Sequence, residues 1–472
     1  MNILTKNGYF INKKNLENNS LKNIKNELTV YPLNNYIYQD KNNIKKYKLF
    51  IENSEYICVP KYYGLKNFGK PNKIIEFGGL NNNMNFLSKL KDYQIPCVEK
   101  IIKTCKEKGG GLLCVPCGFG KTVVALYIAC ALKSKTLVIV HKDFLLNQWK
   151  ERIEQFTDAK IGILQGKNID IEGKDIVIGM LQSISQSKYN KDLFNDFNFV
   201  IYDECHHTSA ETFCKALKIV KTKYQLGLSA TPTRKDGLTK VFKWYLGDII
   251  YQVKRNNDTK LKVNRYLFNS KTEYYREIYN CVNKPCIASM INKITEFEER
   301  NKFIINIIKK IINNDRNILI LSERRNHLIE LKELIKNELD IESGLYIGGM
   351  KSHDLDLSCE NQIILATYQM ASEGFDCKKL NTLIMISSKS DIVQSVGRIL
   401  RKKHDVQPLI IDISDMFSIF KNQSYKRLKF YKKCEYDIET IKVTEGKIHE
   451  KDKKDEKDEK DENKFDENEC IL

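Results

Sequence analysis

Two apolar runs in this 472-residue chain end directly at loops whose residues suit phosphate and metal binding. The run L-L-C-V (112–115) leads into P-C-G-F-G-K-T (116–122), and the run F-V-I-Y (199–202) leads into D-E-C-H-H (203–207). Glycines let a loop wrap its backbone N–H groups around phosphates, and a helix starting behind the loop adds a favourable dipole. We expect the two runs to be neighbouring strands of one parallel α/β sheet, with a nucleotide bound where they end.

Each polar side chain of these loops has a predicted role. Lys121 can reach the β- and γ-phosphates, and the Thr122 hydroxyl can hold Mg²⁺. Asp203 can hold Mg²⁺ from the second strand, and Glu204 is placed to polarise the attacking water. The strict phosphate-loop pattern has glycine where Val115 stands, but the G-F-G-K-T core still follows a strand and opens a helix. The residues therefore predict hydrolysis of a nucleoside triphosphate.

Composition narrows the class of protein. The formal net charge of +18 suggests a polyanionic partner, although a Lys- and Asn-rich composition inherited from an AT-rich genome explains it equally well. The fourteen cysteines show no paired zinc spacing, and the C-x-x-C at 114–117 is interpreted as strand and loop. Free thiols predict a reducing, intracellular compartment. Neither a secretory signal nor a membrane-spanning run is expected.

Apolar periodicity predicts two α/β series in tandem, of which only the first contains a phosphate loop. In the first series we expect strands at 112–115, 136–140, 175–179, 198–202 and 224–229, and helices at 122–132, 143–156 and 209–220. In the second we expect helical residues over 287–313, then a strand at 317–322, a helix at 324–338, and strands at 361–366, 382–387 and 408–412. The predicted domains are a small N-terminal domain (1–85), the two α/β domains (86–255 and 256–440) and a disordered charged tail (441–472).

A second group of candidate site residues lies in Q-S-V-G-R-I-L-R (394–401). Arg398 and Arg401 are three residues apart, so on a helix both would point to one face. Two guanidinium groups on one face suit the charge that develops on a transferring γ-phosphate. The alternative is a solvated basic helix face, since Lys402 and Lys403 follow.

As a set and in this order, the motifs resemble those of superfamily 2 helicases. They are V-P-C-G-F-G-K-T (115–122), D-E-C-H (203–206), S-A-T (229–231), A-T-Y-Q-M-A-S-E-G-F-D (366–376) and Q-S-V-G-R-I-L-R (394–401). The resemblance covers about residues 86–415, and D-E-C-H is typical of the DExH (DEAH-box) branch. The stretches V-H-K-D-F-L-L-N-Q-W-K-E-R-I (140–153), S-A-T-P-T-R-K-D-G (229–237) and E-R-N-K-F-I (299–304) resemble the XPB-related and large-DNA-virus helicases, including the poxvirus-type transcript-release group.

The resemblance implies two RecA-like domains with ATP between them and a nucleic-acid strand crossing both. It implies the following site. ATP would contact the adenine-reading Gln94 of L-K-D-Y-Q (90–94), the loop residues Pro116, Cys117, Gly118, Phe119, Gly120, Lys121 and Thr122, and Gly374 and Asp376. Catalysis would use Glu204 as base, Gln394 to position water, Arg398 and Arg401 as arginine fingers, and His206 to couple hydrolysis to motion, unless His206 is a structural loop histidine. Nucleic-acid phosphates would contact His141 to Asp143, Gln182 to Ser185, and Thr367.

The expected function is an ATP- and Mg²⁺-dependent helicase or translocase that binds DNA without reading its sequence. It would act in viral transcription termination and transcript release, with the transcription machinery as a partner, or in DNA repair or replication. If the protein is viral, the host cytoplasm or the virion is the expected location. Three alternatives stay open: an RNA helicase or a translocase that does not unwind duplexes, a nucleic-acid-binding scaffold with a vestigial ATPase, and the motor subunit of a restriction system.

Overall fold

The computed structural model describes residues 1–31, 46–75, 78–116, 118–186, 189–204, 210–230, 239–253, 261–313, 315–372, 375, 377–402 and 404–451. The chain divides into two compact units, Met1–Lys254 and Arg255–Leu472. Each unit is built around one large, mostly parallel sheet. Among the helices of the described residues, none is long and apolar enough to cross a membrane.

The first 75 residues form a small, mainly antiparallel sheet with two helices. Its elements are β1 (Ile3–Thr5), β2 (Gly8–Asn12), α1 (Asn18–Glu27), β3 (Thr29–Val30), β4 (Tyr47–Lys48), β5 (Ile51–Glu52), β6 (Tyr56–Val59), α2 (Lys61–Phe68) and β7 (Lys73–Ile74). Five of the strands pair in the order β5-β6-β2-β1-β7, while β3 and β4 form a separate ladder.

The central sheet of the first unit follows. Its elements are α3 (Ile95–Lys108), β8 (Gly110–Cys114), α4 (Lys121–Ala131), β9 (Thr136–Val140), α5 (Asp143–Phe156), β10 (Ile161–Gln165), β11 (Asn168–Ile169), β12 (Ile176–Met180), α6 (Leu181–Ser185), β13 (Phe199–Tyr202), α7 (Ala210–Ile219), β14 (Tyr224–Ser229), α8 (Thr239–Leu246) and β15 (Ile249–Gln252). The strand order is β11-β10-β12-β9-β13-β14-β8-β15, with only the β10–β11 pair antiparallel. Strands β8, β9, β12 and β13 are buried at every position, as in a parallel sheet covered on both faces.

Strand order corrects one prediction. The strands that carry the two loops, β8 and β13, are not neighbours, because β14 pairs with both and lies between them. Apolar periodicity identifies each strand but contains no signal for which buried strands pair. The two loops still leave the same edge of the sheet, since β8, β14 and β13 run parallel.

The small N-terminal sheet shares its apolar core with the central sheet. Tyr9 and Ile57 belong to the same buried cluster as Leu137 and Tyr202. Helix α2 packs on α8, where the rings of Tyr63 and Trp244 meet edge to face at 5.4 Å between centroids. The segment predicted as an N-terminal domain thus packs on the central sheet of the first unit, and its boundary near residue 85 stays a prediction.

The second unit repeats the α/β plan. Its elements are β16 (Lys262–Asn269), α9 (Ile287–Thr295), α10 (Glu298–Ile311), β17 (Ile318–Ser322), α11 (Arg325–Leu339), β18 (Ser343–Tyr346), α12 (Ser352–Glu360), β19 (Ile363–Thr367), α13 (Tyr368–Ser372), β20 (Thr382–Met385), α14 (Val393–Arg398), β21 (Leu409–Asp415), α15 (Ser418–Lys433), β22 (Asp437–Thr444) and β23 (Lys447–Lys451). The sheet order is β18-β19-β17-β20-β21-β16-β22-β23, parallel except for the β22–β23 hairpin.

Two predictions in this unit need correction. The helical stretch 287–313 is two helices, α9 and α10, interrupted at Glu296 and Phe297. The Asn301 side chain donates to the carbonyl of Thr295 at 3.0 Å, and Phe297 is buried at the break. The predicted tail begins too early, because β22 and β23 extend the sheet to Lys451. Composition does not indicate β22 as a strand, because charged residues surround its buried Ile441 and Val443. Residues 452–472 lie outside the described residues.

Candidate functional site

The phosphate loop is shaped by glycines that no other residue could replace without strain. Gly118 and Gly120 have φ values of +87° and +91°, in the left-handed region that favours glycine. A Cβ on Gly120 would stand 2.5 Å from Nε2 of Gln94. Pro116 follows the end of β8, and α4 begins at Lys121, with Thr122 in its first turn. The predicted strand–loop–helix arrangement is therefore present, while Cys117 lies outside the described residues.

Gln94 holds the phosphate loop from the side. It is 3% exposed and ends the 3-10 turn Asp92–Gln94. Its Nε2 donates to the carbonyl of Phe119 at 2.8 Å, and its Oε1 accepts from the Lys91 N–H at 3.0 Å. The Phe119 ring also meets the Tyr93 ring at 5.1 Å between centroids. The predicted adenine contact remains a prediction, and Gln94 in addition fixes the conformation of the phosphate loop.

The second loop brings its carboxylates to the phosphate-loop lysine. Lys121 Nζ lies 3.0 Å from Glu204 Oε1, and both side chains are largely shielded from solvent. Glu204 has a φ of +43°, an uncommon conformation for a residue other than glycine. Backbone strain of this kind clusters at functional sites, where the surrounding structure imposes it. The two residues, 83 positions apart in the chain, form one charged pair at the carboxyl edge of the sheet.

Asp203 is held by two hydrogen bonds beside that pair. Its Oδ2 accepts from the indole N–H of Trp149 at 2.7 Å, and its Oδ1 accepts from the Glu204 N–H at 3.0 Å. Burial, and then the neighbouring Glu204 carboxylate, raise the pKa of Asp203 from 3.8 to about 6. Two adjacent carboxylates near a single lysine favour an added cation, so these residues fit the predicted Mg²⁺.

The described residues offer few protein ligands for a metal ion at this site. No group of three or more His, Cys, Asp and Glu side chains within the described ranges could hold a metal ion. Mg²⁺ in nucleotide sites is commonly bound by one or two carboxylates together with substrate phosphates and waters. A single carboxylate from Asp203 with the Thr122 hydroxyl therefore suits Mg²⁺ better than a cation that needs a full protein cage.

Trp149 was not among the predicted site residues. It lies on α5, is 1% exposed, and its ring is part of the apolar core. A tryptophan on an amphipathic helix indicates packing, and the sequence carries no signal that its N–H reaches a carboxylate 54 residues away. The run V-H-K-D-F-L-L-N-Q-W (140–149) contains Trp149, but neither the family resemblance nor the predicted nucleic-acid contact at 141–143 assigns a role to this tryptophan.

The predicted arginine pair differs from its expected arrangement. Helix α14 ends at Arg398, so Arg401 lies beyond it and the prediction of one shared helix face is wrong. The helix is only six residues long and has Gly397, a poor helix former, next to its end. Arg398 is 4% exposed and donates to the carbonyl of Phe375 at 2.7 Å. Gln394 is half-buried in the first turn of α14.

Several predicted residues are outside the described part of the chain. They are His206, Gly374 and Asp376. Their predicted roles stay predictions. Ser229 does end β14, as the sequence indicates.

Two of the predicted nucleic-acid segments lie next to each other at the carboxyl edge. His141 follows β9 and Gln182 follows β12, the strand paired with β9. Gln182 Nε2 donates to the carbonyl of His141 at 2.7 Å. In the second unit, Thr367 ends β19. The structure therefore brings His141 and Gln182 of these two segments together.

Comparison with known proteins identifies the family. Residues 87–234 match the family model "Type III restriction enzyme, res subunit". The chain is 37% identical over 454 residues to the putative ATP-dependent RNA helicase L396 of Acanthamoeba polyphaga mimivirus, covering 94% of this chain and 87% of that protein. It is 27% identical over 372 residues to the DNA 3'-5' translocase XPB2 of Sulfurisphaera tokodaii, covering 69% and 81%.

A solved structure supports the same fold. The ATP-dependent Type ISP restriction-modification enzyme LlaBIII bound to DNA superposes with a TM-score of 0.53 at 16% sequence identity. The match covers 75% of this chain and 31% of that much longer one, so it bears on the fold of the tandem α/β units alone. The 37% identity to a viral helicase over 94% of this chain shows that the chain belongs to the superfamily 2 helicases and is an ATP-dependent nucleic-acid motor.

Proposed function

We propose that the chain is an ATP-driven helicase or translocase that acts on DNA, with Lys121, Asp203 and Glu204 at the centre of its ATPase site. The observation that carries the proposal is the 3.0 Å contact between Lys121 and Glu204 beside the half-buried Asp203. A phosphate-binding cation, a metal-binding carboxylate and a general base are thereby assembled at one sheet edge. That set supplies what hydrolysis of a phosphoanhydride requires.

The Lys121–Glu204 pair implies a simple exchange of partners. The Lys121 ammonium binds the β- and γ-phosphates, which compete with Glu204 for its charge. Glu204 is then released to accept a proton from the attacking water. Thr122 and Asp203 would hold Mg²⁺, which neutralises charge on the phosphate oxygens. Gly118 and Gly120 keep the loop backbone close enough to donate to the phosphates.

We further propose that the second unit completes the site during the catalytic cycle. Arg398 and Arg401 would stabilise charge on the γ-phosphate, Gln394 would position water, and Gly374 and Asp376 would face nucleotide and strand. Closure of the two units around ATP would make hydrolysis depend on their relative motion. The His206 coupling role belongs to the same proposal.

DNA is the polymer that we propose, and RNA is the second candidate. The names of XPB2 and of the LlaBIII complex refer to DNA. The mimivirus relative is named as an RNA helicase, and this favours the second candidate. The setting we propose is intracellular viral transcription, with transcript release and the transcription machinery as the partner system. The loops at 141–143, 182–185 and Thr367 would contact phosphates rather than bases.

ATPase rates without polymer and with single-stranded DNA, duplex DNA or RNA, beside strand displacement on each, test the proposal. We expect DNA to stimulate turnover, and Lys121→Ala and Glu204→Gln each to reduce it at least about 100-fold. Matched controls are Lys150→Ala and Glu154→Gln, two exposed positions on α5. Wild-type turnover in either site variant would refute the site. Stimulation by RNA alone would replace DNA with RNA, and rates indifferent to every polymer would favour the scaffold.

A further inference from the structure

The first unit contains an open, lysine-lined groove far from the proposed ATPase site. The groove has a volume of about 1120 Å³ and lies between the N-terminal sheet and the central sheet. Helices α2 and α8 and the end of α3 form its walls. We call it the lysine groove, and its lysines are Lys61, Lys66, Lys70, Lys106, Lys108, Lys223, Lys240 and Lys243.

The charge of the lysine groove exceeds what composition explains. Eight of its twenty lining residues are lysine and only two, Glu107 and Asp248, are acidic. In the whole chain, 78 of 472 residues are Lys or Arg and 60 are Asp or Glu. The excess of positive charge is therefore concentrated at this place. Seven of the eight lysines, all but Lys61, form no ion pair with a carboxylate of the described residues.

The position of the groove separates it from the nucleotide. Gly109, Lys223 and Asp248 line it, and each directly precedes a strand, β8, β14 or β15. It thus lies at the amino edge of the central sheet, whereas the phosphate loop and Asp203 lie at the carboxyl edge. The five residues of β8 span roughly 16 Å between the two edges. A ligand in the groove and a nucleotide at the other edge can be bound together.

In the walls of the groove, lysine ammonium groups lie close to aromatic rings. Lys240 Nζ lies 5.4 Å from the centre of the Trp244 ring, and Lys61 Nζ lies 5.3 Å from the centre of the Tyr62 ring. Trp244 is itself fixed against Tyr63 of α2. Desolvation lowers the pKa of Lys61 to about 8, and a bound anion would raise it again by favouring the ammonium form.

We propose that the lysine groove is a second nucleic-acid site, which binds the sugar–phosphate backbone of the same polymer on which the motor acts. This inference rests on the proposed function, because the polymer is the one that stimulates the ATPase. Lysine ammonium groups are point charges that bind phosphates without reading bases. The lysine groove would hold a flanking segment of the strand, adding affinity without altering the chemistry at the carboxyl edge.

The salt dependence of binding tests this site. The variant Lys66→Gln/Lys240→Gln changes one exposed lysine on each wall, and Lys100→Gln/Lys103→Gln changes two exposed lysines of α3 outside the groove by the same charge. For two lost phosphate contacts, the slope of log K against log salt should become less steep by about 1.8 for duplex DNA or about 1.4 for a single strand. Affinity at 0.1 M salt should fall between about 10- and 100-fold, while polymer-free ATP hydrolysis stays at the wild-type rate.

The outcomes separate this proposal from the proposed function. If wild-type protein binds neither DNA nor RNA, the proposed function fails. If wild-type protein binds and the groove variant matches the α3 control in slope and affinity, the lysine groove is not a nucleic-acid site. A Lys66→Arg/Lys240→Arg variant that restores the wild-type slope shows that charge, and not a folding defect, causes the loss. Unchanged thermal melting of the Gln variant supports the same conclusion.

Discussion

Replacing Asp203 by asparagine should stabilise the protein while abolishing its ATPase activity. The Asp203 carboxylate is half-buried beside Glu204, and desolvation together with the Glu204 charge raises its pKa from 3.8 to about 6. A raised carboxylate pKa means that folding penalises the charged form. Asparagine has nearly the same shape, and its amide oxygen can still accept the Trp149 indole N–H, which now lies 2.7 Å from Oδ2. Its NH2 group would replace Oδ1, which accepts the Glu204 N–H at 3.0 Å, and the loss of that bond reduces the gain. Residues that serve a reaction commonly lower stability in this way.

The size of the effect follows from the pKa difference. A change from 3.8 to about 6 is worth about 3 kcal/mol at 1.36 kcal/mol per pKa unit, and water that reaches the site reduces this ceiling. We expect Asp203→Asn to raise the free energy of unfolding by about 1–3 kcal/mol at pH 7.5. For a unit of this size that corresponds to a melting temperature higher by roughly 2–8 °C.

The same pKa values determine whether the stability difference between wild type and Asp203→Asn grows or shrinks with pH. The unfolded carboxyl group loses its proton near pH 3.8 and the folded one near pH 6. The penalty in the wild type is therefore complete above pH 6 and disappears as the pH falls to 3.8. At pH 4.5 about one third of it remains. The gain in the free energy of unfolding from Asp203→Asn should decrease in the same proportion.

Thermal melts of the Mg²⁺-free and ATP-free protein at pH 7.5 and 4.5 measure this advantage. Asp143→Asn is the matched control, since Asp143 is an exposed carboxylate at the same sheet edge. Adding Mg²⁺ and ATP should raise the melting temperature of the wild type and not that of Asp203→Asn, because only a bound ligand stabilises by mass action. If Asp203→Asn melts at or below the wild type at pH 7.5, the burial penalty inferred from the structure is wrong.

Three further substitutions test the contacts around the site and the core. Trp149→Phe removes an N–H donor to Asp203, so the pKa of Asp203 should rise and the acid limb of kcat/KM for ATP should move to higher pH. Gln94→Ala removes the bond to the phosphate loop and should raise KM for ATP by about tenfold in steady-state assays. Arg300→Met should lower the free energy of unfolding in urea by about 3–5 kcal/mol, because Asp415 would be left buried without its guanidinium partner; a loss below 1 kcal/mol would show that Asp415 relaxes into water.

The local elements could be predicted because their signals are local. The apolar run 136–140 is β9 to the residue, and the amphipathic run 143–156 is α5. Strand β16 is not indicated by the sequence, because Arg265, which is fully buried, stands where the alternating pattern of a strand requires an apolar side chain. Arg265 donates to the Ser424 hydroxyl at 3.0 Å, a partner 159 residues away that no sequence period indicates.

Charged motif residues were the hardest to interpret from sequence. Arg300, in the stretch E-R-N-K-F-I, has no exposed surface and binds both oxygens of Asp415 at 2.8 and 3.0 Å. Arg427 binds Asp412 in the same bidentate way. An arginine in a motif suggests contact with phosphate, but here a carboxylate of the same unit takes that place. The sequence cannot distinguish the two, because the guanidinium group suits both anions equally.

The contacts that position the predicted site residues share one property that hides them from sequence. Gln94 donates to the carbonyl of Phe119, Gln182 to the carbonyl of His141, and Arg398 to a backbone carbonyl as well. Every residue has a backbone carbonyl, so the type of a residue does not indicate whether its carbonyl accepts a hydrogen bond from a distant side chain. Motif spacing could therefore predict which side chains meet at a sheet edge, but only the fold shows which of them hold the loops in place. A substitution at Gln94 or Gln182 thus moves a loop, whereas one at Lys121 removes a charge, and the kinetics of the two classes should differ in KM and kcat accordingly.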